Sequence, residues 1–90
     1  MIQIENLQNL PKLYDTEDTP EDEKILQIKF YDINSNWQWY LVEYNPNEKI
    51  AFGYVIGHEK EWGYFSLQEL DEIPTIIQDD AFQPIMFKDL

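Results

Sequence analysis

The spacing of apolar positions changes character twice along the chain. In residues 1–13, Ile4, Leu7, Leu10 and Leu13 recur every three residues, which predicts a short amphipathic helix interrupted at Pro11. From Ile25 the period becomes two. Leu26, Ile28 and Phe30 alternate with Gln27, Lys29 and Tyr31, and predict a first strand over 25–31. Trp37 to Tyr44 reads as a second strand, Ile50 to Gly57 as a third, and Glu61 to Phe65 as a fourth. The segments between them, Asp32 to Asn36, Asn45 to Lys49 and His58 to Lys60, carry turn residues. At Ser66 the helical period returns. Ser66-Leu67-Gln68-Glu69 is a capping box, Leu67, Leu70 and Ile73 form one apolar face, and Pro74 ends the helix. The tail from Thr75 reads as an edge strand or a packed extended segment.

These elements predict an α+β fold. Four consecutive antiparallel strands form a meander, because short connections favour antiparallel neighbours. One C-terminal helix packs on one sheet face, and short helical segments lie near the N-terminus, among them a turn capped by Thr19 with Pro20 in its first position and Asp22 reaching back. Ninety residues suit a single domain over 1–90.

A hairpin register with Tyr44 opposite Ile50 divides the sheet. Tyr40, Val42, Tyr44, Phe52, Tyr54, Ile56, Trp62 and Tyr64 share one face; Trp37, Trp39, Leu41, Val55 and Phe65 share the other, beside Gly53 and Gly63. The glycines are expected to make room for the Trp39 ring or the helix. Both faces are apolar, so the tyrosine-rich face needs a cover from the chain's own ends, a second copy or a partner.

Charge narrows the function. Eighteen acids against six lysines and no arginine give a net charge of −12. Direct nucleic-acid binding needs cations that displace phosphate counterions, and anionic membrane surfaces need the same, so both are disfavoured. A basic protein partner is attracted. Six carboxylates, Asp15, Glu17, Asp18, Glu21, Asp22 and Glu23, fall within nine residues. Held on a rigid scaffold, such a group can imitate a phosphate backbone. There is no cysteine for a disulfide or a thiolate metal site. The start Met1 to Asn6 lacks the basic and apolar regions of a signal peptide, and no run reaches the ~20 apolar residues of a bilayer span, so a cytoplasmic protein is expected.

Catalytic and metal motifs are weak. Asp32-Ile33-Asn34-Ser35-Asn36 opens like a calcium loop, with Glu43 at the twelfth position, but Trp37 stands where a glycine must turn the chain. The lone His58 lacks partners for zinc and reads as a turn histidine. Ser66 reads as a helix cap, without a nucleophile elbow around it. No cofactor is expected. Two functional readings remain. In the first, a non-enzymatic interaction protein uses the carboxylates of 15–23 with Tyr40, Tyr54 and Trp62 to bind a basic protein surface; homodimerisation is compatible with it. In the second, Trp39, Tyr40, Tyr54 and Trp62 with Glu43 and Glu61 form a small-ligand or carbohydrate site, or a hydrolase.

Leu13 to Pro20, Trp37-Gln38-Trp39-Tyr40, Glu43-Tyr44, Phe52-Gly53-Tyr54-Val55 and Glu61 to Leu70 together resemble an uncharacterised bacterial family, domain of unknown function 2958, found on plasmids, conjugative elements and phages. The resemblance covers nearly the whole chain, and the block Glu61-Trp62-Gly63-Tyr64-Phe65-Ser66-Leu67 is its most specific part. The tail Phe82 to Phe87 fits more loosely. The family brings no activity and no site residue. It implies a setting: small acidic proteins of mobile elements often counter host defence, which favours a nucleic-acid mimic aimed at a host nucleic-acid-binding or defence protein.

Overall fold

In a computed structural model of the protein, the structure describes residue 2 and residues 9–90. The amphipathic segment predicted around Ile4 and Leu7 lies outside the described residues. Among the described residues, seven strands and one short α-helix follow in order: β1 (Ile25–Leu26), β2 (Ile28–Asp32), β3 (Gln38–Asn45), β4 (Ile50–Ile56), β5 (Lys60–Ser66), α1 (Leu67–Asp71), β6 (Ile76–Gln78) and β7 (Ile85–Met86). The main sheet runs β5-β4-β3-β2-β6, and every pairing in it is antiparallel. The predicted meander is therefore present as β2 to β5, with a fifth strand, β6, added at its edge. β1 and β7 pair as a separate two-stranded sheet.

Several expectations need correction. The helix is not C-terminal: residues 72–90 follow it and supply β6, β7 and a closing 3-10 turn at Phe87–Asp89. It is also shorter than expected. Ser66 Oγ accepts from the Glu69 N–H at 3.1 Å, as the capping box requires, but the helix stops at Asp71 and Ile73 is exposed. Leu67 and Leu70 alone supply its buried face. Near the N-terminus, Glu21–Glu23 forms a 3-10 turn after Pro20, without the side-chain cap expected from Thr19 and Asp22.

The first strand is broken in two. Ile28 lies opposite Leu41 in the β2–β3 ladder, while Gln27 N–H donates to the Leu41 carbonyl at 2.8 Å. Leu26 and Ile28 consequently belong to opposite apolar layers. Across from this break, the β3–β4 register shifts. Leu41 opposes Gly53, but Glu43 opposes Phe52, so Val42 is an extra residue in a β-bulge. The register with Tyr54 opposite Tyr40 holds on the far side of the bulge, while near the loop Tyr44 lies opposite Ala51. A one-residue slip moves side chains to the other face. Tyr44 accordingly packs with Phe30, Trp39, Leu41 and the helix, not with the other tyrosines. Gly53 is the bulge's steric condition: a Cβ there would sit 1.8 Å from the Tyr40 carbonyl oxygen. Its neighbour is backbone, neither the Trp39 ring nor the helix.

The chain itself covers part of each face of the sheet. On one, Leu67 and Leu70 of α1 close over Phe30, Trp39 and Leu41, with Ile76 of β6 in the same cluster. On the other, the tail lays Phe82, Ile85 and Phe87 over Leu26, Tyr40, Val42, Tyr54 and Trp62. The β1–β7 ladder and the Phe87 N–H donating to the Lys24 carbonyl at 2.8 Å tie this cover down.

Candidate functional site

Residues 12–23 contain no strand to hold them, yet they form an ordered succession of turns. Asp15 N–H donates to Lys12 O at 3.0 Å, Glu17 to Tyr14 at 3.2 Å, and Thr19 to Thr16 at 2.9 Å; Glu23 then bonds to Pro20 at 3.0 Å. These local bonds close single turns and do not fix the segment to the sheet. That task falls to Glu43. Because Val42 is the bulged residue, Glu43 pairs with Phe52 and turns toward the tyrosine-rich face, where it is 4% exposed. A buried carboxylate must be satisfied. Tyr14 N–H donates to Oε1 at 2.7 Å, Thr16 N–H to Oε2 at 3.1 Å, and the Thr16 hydroxyl also to Oε2.

Lys24 completes the anchor. It is 6% exposed, and its Nζ donates to the Thr16 carbonyl and, at 3.1 Å, to Thr16 Oγ1. Thr16 thus stands between one buried anion and one buried cation, and its hydroxyl serves both. Tyr14 is held with φ of 74°, a left-handed conformation unusual for a bulky residue, with its side chain outside. The six carboxylates of Asp15, Glu17, Asp18, Glu21, Asp22 and Glu23 are all exposed. Lys24, which follows directly after them, is spent on the anchor.

Between this segment and the sheet lies an open groove of about 520 Å³, lined by Tyr14, Glu17, Thr19, Pro20, Glu21, Lys24, Glu43, Phe52 and Tyr64. Tyr64 projects at its rim, more than half exposed, beside Phe52 at 5.2 Å. A hydrogen bond with the Tyr14 hydroxyl raises the Tyr64 phenol above its ordinary pKa, with smaller contributions from burial and from the nearby Glu43 and Glu17. The groove combines aromatic walls with carboxylates, a lining suited to a cationic group.

The predicted aromatic contributors lie elsewhere. Tyr40 is 3% exposed; its ring meets Phe82 at 5.7 Å and its hydroxyl donates to Gln38 Oε1. Tyr54 and Trp62 are half-buried under Phe87, at 4.6 and 4.9 Å. The structure brings Glu17 and Glu21 of the six acids together with Glu43, Lys24, Tyr14 and Tyr64 in one groove, and places Tyr40 in the core instead. Sequence reasoning offered Glu43 as the twelfth position of a calcium-like loop and as a ligand-site carboxylate, not as an anchor, and missed Lys24, Tyr14 and Thr16. The available signal was Gly53, since a glycine in mid-strand marks a bulge.

The remaining candidates have ordinary roles. Asp32 accepts from the Asn34 N–H at 2.9 Å and the Ser35 hydroxyl at 3.1 Å, forming a polar turn. His58 stands edge-on to Trp37 at 5.4 Å. Among the described residues, no group of three or more His, Asp or Glu is placed to hold a metal ion. No helix among them is long and apolar enough to cross a membrane. No family model, no curated protein and no solved structure matches the chain.

Proposed function

We propose that this chain is a non-enzymatic acidic interaction protein that binds a basic protein surface and imitates nucleic acid, in the manner of small mobile-element proteins that inhibit a host nucleic-acid-binding or defence protein. The single observation that carries the reading is the way the acid segment is built. Six exposed carboxylates lie on a stretch of turns pinned to the sheet by the buried Glu43–Thr16–Lys24 network. A segment ordered before binding loses less entropy on association than a free loop. Charge of one sign steers a basic partner and sets the register of docking. The mobile-element setting is supported by the Glu61 to Leu67 block and belongs to the same proposal.

The test uses the whole chain, immobilised, against host lysate. The expected result is capture of a nucleic-acid-binding protein at low salt, released by rising salt or by competing DNA. A variant with the six carboxylates of 15–23 replaced by their amides is expected to capture nothing. Capture that survives both high salt and the amide variant would reject the reading.

The groove supports a second reading, a small cationic ligand held between Tyr14 and Tyr64 with Glu17 and Glu21 beside it. Trp39 and Tyr40 are buried and have no free ring face for a sugar, so they do not extend this site. A thermal-shift screen with amine and guanidinium compounds tests it. A ligand of this kind raises the melting temperature, and no shift from any of them would remove the reading.

A further inference from the structure

β5 closes one edge of the main sheet, and among the described residues its only ladder partner is β4. The direction of its free backbone groups follows from the register. The Leu67 N–H donates to Lys49 O and the Gly57 N–H to Glu59 O, both at 2.9 Å, in the same ladder register as Gly53 opposite Gly63. Hydrogen-bonded pairs alternate in an antiparallel ladder, so Glu61, Gly63 and Phe65 bond toward β4. Lys60, Trp62, Tyr64 and Ser66 therefore point their N–H and C=O groups out of the sheet. The pairing runs unbroken from Ile50 opposite Ser66 to Ile56 opposite Lys60. A long edge without a bulge or a proline is a template for another strand.

Gly63 sits in the middle of this edge, and nothing among the described residues calls for a glycine there. Its φ is not positive, and a Cβ built on it meets no atom within 4 Å. Mid-strand glycine weakens a strand and marks close approach of something else. Opposite Gly63, an added strand would place a non-hydrogen-bonded residue, the pair type in which side chains come closest. A large apolar side chain there would cover the bare backbone.

We infer that β5 is a docking edge for an extended, basic segment of the partner, added as an antiparallel strand with a large apolar residue over Gly63. The inference rests on the reading that the partner is basic. Charge selects this occupant over a second copy, because two chains of −12 repel. Glu61, exposed two residues from Gly63 on the same face, offers a carboxylate to a lysine or arginine of the incoming strand.

The test takes the full chain and a synthetic peptide with tryptophan placed opposite Gly63, lysine opposite Glu61, valines opposite Trp62 and Tyr64, and lysines at both ends. Amide exchange is followed residue by residue, with affinity measured in parallel. Free in solution, the Lys60, Trp62, Tyr64 and Ser66 amides are expected to exchange fast, and bound peptide is expected to slow them about tenfold or more. Gly63→Val should fold as stably as the parent, since the site is open and valine favours strands, yet bind the peptide about tenfold more weakly. Absence of peptide binding at low salt overturns the inference, as does an unchanged affinity for Gly63→Val. Protection of the edge amides that grows with protein concentration alone assigns the edge to a second copy and also overturns it. Peptide binding without edge protection rejects this inference and leaves the basic-partner reading standing. That reading fails separately, in the capture experiment with the amide variant.

Discussion

Glu43 accepts three hydrogen bonds from two residues of a segment far away in sequence. Replacing it with alanine would leave the Tyr14 and Thr16 amides without a partner and the buried Lys24 without its nearby anion. Breaking a buried charge network from one side costs about 3–5 kcal/mol. Glu43→Ala is accordingly expected to lower unfolding free energy by about 3 kcal/mol in a denaturant titration. A loss under about 1 kcal/mol would mean that the carboxylate is not buried as described. Lys49 makes the opposite case. It closes the β3–β4 loop with φ of 56°, where a side chain is strained. The Asn45 side chain already bonds the Asn47 and Glu48 amides at 3.0 and 3.3 Å, so the turn does not depend on the lysine. Lys49→Gly is expected to raise stability by about 0.5–1 kcal/mol, read from the same titration.

The elements of the sheet follow from local rules, with two exceptions that share one cause. Period-two alternation located β2 to β5, turn residues located their connections, and Ser66 located the start of α1. The tail's reading as an edge strand is met by β6 beside β2. What alternation could not show is the bulge at Val42 and the break at Gln27 across from it. Leu41, Val42 and Glu43 carry no glycine or proline to announce an irregularity, so a strict period placed Tyr44 on the wrong face. The cause lies in tertiary packing: Glu43 must turn inward to meet Tyr14 and Thr16, and neither residue is near it in sequence. Lys24 was invisible for the same reason, since an acidic stretch gives no sign that the lysine directly after it is buried. The two paired glycines separate these effects experimentally. Gly53→Ala places a methyl group against the Tyr40 carbonyl and is expected to cost more than about 2 kcal/mol or to prevent folding. Gly63→Ala on the facing strand is expected to be neutral or slightly stabilising. Equal losses at the two positions would contradict the bulge.

For the whole molecule, charge and burial set opposite ends of the pH range. Burial raises the Tyr40 phenol, helped by the nearby Asp79, and burial raises Tyr44 as well. A phenol whose folded pKa exceeds its unfolded value of about 10 contributes stability that is complete below that value and is lost as pH rises through the folded pKa. Alkaline unfolding should therefore coincide with late tyrosine ionisation in an absorbance titration, and a titration completed near pH 10 would contradict it. On the acid side, the Asn34 N–H, with the Thr75 and Ser35 side chains, holds Asp32 below the usual carboxylate range. Its contribution is present above the unfolded pKa and is lost as pH falls through the folded one, so Asp32→Asn should flatten the acid limb of the stability curve. The acidic surface itself was legible in composition. Its rigidity was not, because a pinned segment and a solvated loop share one sequence signature.

That rigidity can be measured directly by native-state amide exchange at Tyr14 and Thr16. If Glu43 pins the acid segment to the sheet, both amides exchange slowly in the parent chain and about a hundredfold or more faster in Glu43→Ala. Exchange at the rate of an open loop in the parent chain would mean that the carboxylates are not displayed on a fixed scaffold, and the proposed imitation of nucleic acid would lose its physical basis.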